Sequence, residues 1–212
     1  MTPGGGSAPT AVFDLDGVLL RGDTVRLFLA GRLRRAPARA LPLAAAAPLV
    51  AVAAVAGPTR PAAARLLTWL AGADGEVTAA FRAGLARHPE AAVADALACL
   101  RAHRAAGDRV VVATAAEETL ARGYLAALGL AHVEVVGSTG WPRPVRVHGA
   151  AKVRALVARG FPPPWTAVYS DSPSDLPLFA GTARPVLVNA DEKAARKVAR
   201  TLGRPPETRT WR

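Results

Sequence analysis

From residue 89 onward, short valine-rich runs alternate with segments of helical spacing, and this alternation leaves few folds open. The runs DRVVVAT (108–114), HVEVVG (132–137), WTAVYSDS (165–172) and PVLVN (185–189) predict strands. Helical spacing covers 89–106, 117–128, 149–159, 173–179 and 191–202, with Gly107, Gly129 and Gly160 ending three of these segments. A further apolar run at 10–15 predicts a first strand. Nearly continuous apolar strands that alternate with helices predict an α/β fold, a Rossmann-like parallel sheet with helices on both faces. Between the first strand and the rest, residues 21–86 show only helical spacing, punctuated by Gly31, Pro37, Gly57-Pro58, Gly72 and Gly75. The expected division is a flexible N-terminus at 1–9, a core of 10–20 plus 87–212, and an all-helical insertion at 21–86.

Apolar residues make up 51% of the 212, enough for a sizeable core, but aromatics are only 5%, so Ala, Val and Leu must fill it. The net charge of +11 would suit an anionic partner, yet 24 of the 27 basic residues are arginine in a chain rich in Ala, Gly and Pro, which points to background composition. No nucleic-acid motif appears, and the four tryptophans are expected to be packing anchors. One cysteine, Cys99, excludes an internal disulfide and a cysteine-based zinc site, and fits a cytoplasmic protein. The N-terminal MTPGGGSAPT lacks the basic-then-apolar pattern of a signal peptide.

Residues 40–59 carry no charge for 20 positions, nominally a membrane-spanning length. Alanine richness and Pro42, Pro48 and Pro58 argue against a span. Burial in the helical insertion, or peripheral membrane contact through 32–59 aided by Arg32, Arg34, Arg35 and Arg39, are the alternatives. Those arginines, with Arg26, are otherwise expected on a solvated face.

The chemistry lies where the predicted strands end. VFDLDGVLL (12–20) interrupts an apolar stretch with Asp14 and Asp16, just before a glycine. Thr114 closes a strand in VVATAA, Lys152 lies near the start of a helix in HGAAKVRAL, and Asp171 and Asp175 follow a strand in YSDSPSDLPLF. Ligands of such sheets bind at the carboxyl ends of the strands, so these six residues should converge on one crevice. Four acids that close raise one another's pKa unless a cation joins them, and an all-oxygen set suits Mg2+. A hydroxyl, a lysine and a metal can hold phosphoryl oxygens, one carboxylate can attack phosphorus, and a second can move protons.

These four motifs, in this order, resemble the haloacid dehalogenase-like superfamily, and in finer detail its phosphoserine phosphatase-like subfamily IB, with a helical cap after the first motif. The resemblance implies a Mg2+-dependent phosphatase acting through an aspartyl-phosphate. Asp14 would be the nucleophile and Asp16 the acid and base. Thr114 and Lys152 would bind phosphoryl oxygens. Asp14, Asp16 (through its carbonyl) and Asp171 would ligate the metal, with Asp175 orienting Lys152 or a metal-bound water. The dehalogenases of the superfamily lack an acid at the position of Asp16, which implies phosphate chemistry here. Asp23 stands about where phosphoserine phosphatases place a substrate-binding glutamate; a helix N-cap before Thr24 is its other reading. Val18 replaces the commoner Thr, and residues 140–147 (GWPRPVRV), which precede the lysine helix, are unusually rich in Pro and Arg. A small phosphorylated metabolite is the expected substrate. A phosphorylated lipid headgroup, phosphotransfer to another acceptor, and a non-catalytic binding role are the alternatives.

Overall fold

The computed structural model describes residues 9–37, 74–139 and 145–212. Expectations for 1–8, for the uncharged stretch 40–59 and for most of 140–147 lie outside these residues. Six parallel strands form one sheet in the order β3-β2-β1-β4-β5-β6. They are β1 (Thr10–Phe13), β2 (Arg109–Glu117), β3 (Glu134–Ser138), β4 (Ala167–Ser170), β5 (Pro185–Val188) and β6 (Glu207–Arg209). Among the described residues, the α-helices are α1 (Thr24–Arg35), α2 (Asp74–Leu85), α3 (Ala94–Ala105), α4 (Glu118–Ala127), α5 (Ala150–Ala158), α6 (Leu176–Phe179) and α7 (Glu192–Leu202). The Rossmann-like α/β architecture expected from the alternation is what the chain adopts.

The strands are apolar throughout because each face of the sheet is covered. Successive side chains point to opposite faces. Phe13, Val112, Tyr169 and Val186 enter one core with residues of α1, α2, α3 and α4, while Val12, Val111, Val168 and Leu187 enter the other with residues of α5, α6 and α7. Trp211 and Trp165 anchor the two cores, one each, as packing residues. The sheet order reverses beside β1: β2 and β3 extend one way, β4 to β6 the other. Ligand crevices open at such switch points, outside the strand carboxyl ends.

Helices α1 and α2 pack against each other and against α4. Phe28, Phe81 and Tyr124 form the aromatic contact, with ring centroids 5.7 and 5.6 Å apart. Close approach needs glycine: a Cβ on Gly31 would stand 1.8 Å from the Ala80 carbonyl oxygen. Gly31→Ala is therefore expected to destabilise the protein by about 1–3 kcal/mol despite alanine's better helix propensity, because the clash is with backbone. A denaturant midpoint equal to or above that of the wild type would contradict this packing.

Several boundaries and one surface expectation need correction. The segment expected as one helix over 89–106 opens as a 3-10 turn (Pro89–Ala91) before α3. β2 continues past Thr114 to Glu117, with a register shift against β3 between Ala113 and Glu117. β6 was not expected, since ETR carries no strand signal; backbone pairing to β5 makes it. Arg32 is not on a solvated face. It is 3% exposed, and its guanidinium donates to Glu76 Oε2 at 2.7 Å, tying α1 to α2. Among the described residues, no helix is long and apolar enough to cross a membrane.

Candidate active site

Asp14 follows β1 directly. Its backbone N–H donates to the Tyr169 carbonyl of β4 at 2.9 Å, so the switch-point strands fix its position. Its Oδ1 accepts from the Leu15 N–H at 2.8 Å, while Oδ2 faces Lys152 Nζ at 2.9 Å. Lys152 lies in the first turn of α5, entered through Gly149, and is almost wholly buried. Its ammonium also donates to Asp175 Oδ2 at 2.8 Å, and the same oxygen accepts from Ser170 Oγ at 2.7 Å. One lysine thus bridges two acids, one at the end of β1 and one in the 3-10 turn that follows β4.

That arrangement sets the electrostatics. Burial lowers the affinity of Lys152 for its proton, but the two carboxylates outweigh burial, so the lysine is held charged. Burial pushes Asp14 up to about 7, with Asp175 adding to the rise and Lys152 opposing it. Burial likewise raises Asp16 and Asp171 above the usual carboxylate range. The crevice holds more negative charge than its lysine neutralises.

The turn after Asp14 places the second acid. Gly17 has φ +77° and its N–H donates to the Leu20 carbonyl at 2.8 Å. A Cβ there would lie 1.9 Å from Asp171 Oδ2, so only glycine lets the Asp171 carboxylate rest against the turn. Asp16 Oδ1 accepts from the Thr24 N–H at 2.9 Å and also from the Thr24 hydroxyl. These donors belong to the first residue of α1, where the helix dipole favours negative charge. Tyr124 of α4 donates to the Leu19 carbonyl at 2.9 Å and pins the far side of the turn.

The donor set fits a hard divalent cation. Among the described residues, Asp175 Oδ1 is fully buried without a hydrogen-bond partner, and the Asp171 carboxylate rests against Gly17. Among the described residues, no three His, Cys, Asp or Glu side chains form a ready-made metal cage. A small hard divalent cation does not need one: one or two carboxylates can hold it, with water and substrate phosphate completing its shell.

A family model for haloacid dehalogenase-like hydrolases matches residues 11–180. The chain belongs to that family. Solved structures share its fold at low identity. A Bordetella pertussis Tohama I protein of unknown function is 22% identical over 95% of this chain and 99% of its own, with a TM-score of 0.64. A predicted phosphatase from Clostridium acetobutylicum is 15% identical, covering 95% and 94%, with a TM-score of 0.52. A phosphoserine phosphatase solved as a phospho-aspartyl intermediate analogue is 11% identical, covering 97% and 94%, also with a TM-score of 0.52. No curated protein sequence matches the chain.

In this haloacid dehalogenase-like hydrolase, the structure joins Asp14, Lys152 and Asp175 by direct contact and rests Asp171 against Gly17, the residue after Asp16. Thr114 lies in β2, beside β1, buried, and its Oγ1 accepts from the Ala116 N–H at 3.0 Å across the register shift. Asp23 caps α1, its Oδ1 accepting from the Arg26 N–H at 2.9 Å, which matches the helix-cap reading. Two contributors escaped the sequence reading. Ser170 ends the strand AVYS, and nothing in that run marks its hydroxyl as the partner of Asp175. Thr24 had no signal beyond following a helix cap, because its partner lies eight residues away across a turn.

Proposed function

We propose that this protein is a Mg2+-dependent phosphomonoester hydrolase that acts through an aspartyl-phosphate on Asp14. The observation that carries the proposal is the Asp14–Lys152–Asp175 bridge at the sheet's switch point, with Asp16 held two residues beyond the nucleophile. Asp14 attacks phosphorus and the bond to the leaving oxygen breaks. Asp16 gives that oxygen its proton. Asp16 then takes a proton from water, which attacks the aspartyl-phosphate, releasing phosphate and restoring Asp14. Lys152 and Thr114 bind phosphoryl oxygens, and the charge on Lys152 is secured by its two carboxylates. Asp14, the Asp16 carbonyl and Asp171 would hold Mg2+, which supplies positive charge to the phosphoryl oxygens. Asp175 serves to orient Lys152.

The helical insertion at 21–86, of which α1 and α2 are described, would cover the crevice, exclude water and select the substrate. A small phosphorylated metabolite is the favoured class. Phosphoserine is the first compound to try, because a phosphoserine phosphatase shares the fold. Asp23 is a weak candidate for its amino group, since that carboxylate already caps α1.

The test is phosphate release from a panel of phosphomonoesters, including phosphoserine and lysophosphatidate, with Mg2+ and with excess EDTA. The expected result is release from at least one small ester that EDTA abolishes and Mg2+ restores. Release unaffected by EDTA would overturn the metal requirement. Release confined to lysophosphatidate would move the substrate class to lipid. Folded protein that releases phosphate from none would overturn the hydrolase reading.

A further inference from the structure

Asp16 has two oxygens, and the structure treats them differently. Oδ1 accepts both the backbone N–H and the hydroxyl of Thr24. Among the described residues only Oδ1 has a hydrogen-bond partner, and Asp16 is part-exposed. Thr24 itself is fully buried and opens α1. Its hydroxyl is a buried donor whose acceptor is the carboxylate of Asp16, so its orientation is dictated by that contact.

We infer that Thr24 is the positioning residue of Asp16: it fixes Oδ1, so that Oδ2 is the atom that gives the proton to the leaving oxygen and takes one from water. This rests on the hydrolase reading above. Without the hydroxyl, the carboxylate retains one donor, the backbone N–H, and can rotate about its Cβ–Cγ bond. The unengaged oxygen would then no longer be held toward the reacting centre. A rotation that size costs rate, because proton transfer requires the donor within hydrogen-bond reach of the leaving oxygen.

The inference also links the acid to the helical pair. Thr24 moves with α1, and α1 is bound to α2 through Arg32–Glu76 and the close Gly31–Ala80 contact. The position of those helices and the aim of Asp16 Oδ2 are therefore one structural state.

The experiment compares an alkyl phosphate with p-nitrophenyl phosphate, whose leaving group departs without a proton. kcat/KM reports the steps up to leaving-group departure. In Thr24→Val, which keeps the shape and removes the hydroxyl, kcat/KM for the alkyl ester should fall at least about tenfold, and for p-nitrophenyl phosphate by less than about threefold. Thr24→Ser restores the hydroxyl and should return the alkyl ester to within about threefold of wild type. Equal loss on both esters, or no rescue by serine, would make Thr24 merely structural and overturn the inference. So would an unchanged alkyl rate in a Thr24→Val protein that melts like the wild type. If Thr24→Val does not fold, Thr24→Ser against Thr24→Ala decides by the same ester comparison. Wild-type protein that hydrolyses neither ester with Mg2+ counts against the hydrolase reading itself.

Discussion

Asp14→Asn should lower phosphate release by at least about 10^4-fold, because an amide cannot supply the attacking oxygen that the covalent route needs. The fold should survive. Asparagine keeps the size of the side chain and a carbonyl oxygen for the Leu15 N–H, and Lys152 keeps Asp175. The metal-free stability should change with pH in a defined direction. Burial raises Asp14 from 3.8 to about 7 in the folded chain, so the folded state holds this proton more tightly than the unfolded one. The stability from that proton is fully present below the unfolded value and is lost as pH rises through about 7. The variant has no such titration. In EDTA, its melting temperature relative to wild type should therefore increase between about pH 5 and pH 8. A relative decrease over that interval would mean that the ionised carboxylate stabilises the fold.

Lys152→Met should cost about 3–5 kcal/mol and abolish activity. The lysine is the cation between Asp14 and Asp175, and all three side chains lie at or below 12% exposure. Removing it leaves two carboxylates near each other in low dielectric, one with an oxygen already lacking a partner. Arginine should not rescue, since a planar fork is a poor replacement for a compact ammonium in a closed site. Adding Asp175→Asn to Lys152→Met removes one of the stranded charges and should recover part of the stability without recovering activity. Denaturant unfolding of the single and double variants reads this. A loss within about 1 kcal/mol for Lys152→Met would show that the bridge contributes little to the fold.

The sheet was legible because its strands are valine-rich and buried on both faces, so they stand out from the alanine-rich helices. Asp14 and Asp16 were legible because two acids in an apolar run are costly unless they act. What escaped depends on contacts distant in sequence. β6 is polar, and only pairing with β5 identifies it. Arg32 looks like its neighbours Arg34 and Arg35; its partner Glu76 lies 44 residues away, so burial could not be inferred from the helix alone. Thr114 was expected at a strand end, but the neutral alanines after it let β2 continue to Glu117. Thr24 and Ser170 are common hydroxyls that gain meaning only when folding brings Asp16 and Asp175 to them.

A covalent route through Asp14 fixes the stereochemical course at phosphorus, which can be measured. Each in-line displacement inverts phosphorus, so two displacements, one by Asp14 and one by water, give net retention. A phosphorothioate monoester made chiral with sulfur and two oxygen isotopes, turned over by the wild-type protein in water carrying the third isotope, should yield thiophosphate of retained configuration. Inverted thiophosphate would mean a single direct attack by water and would exclude the covalent route.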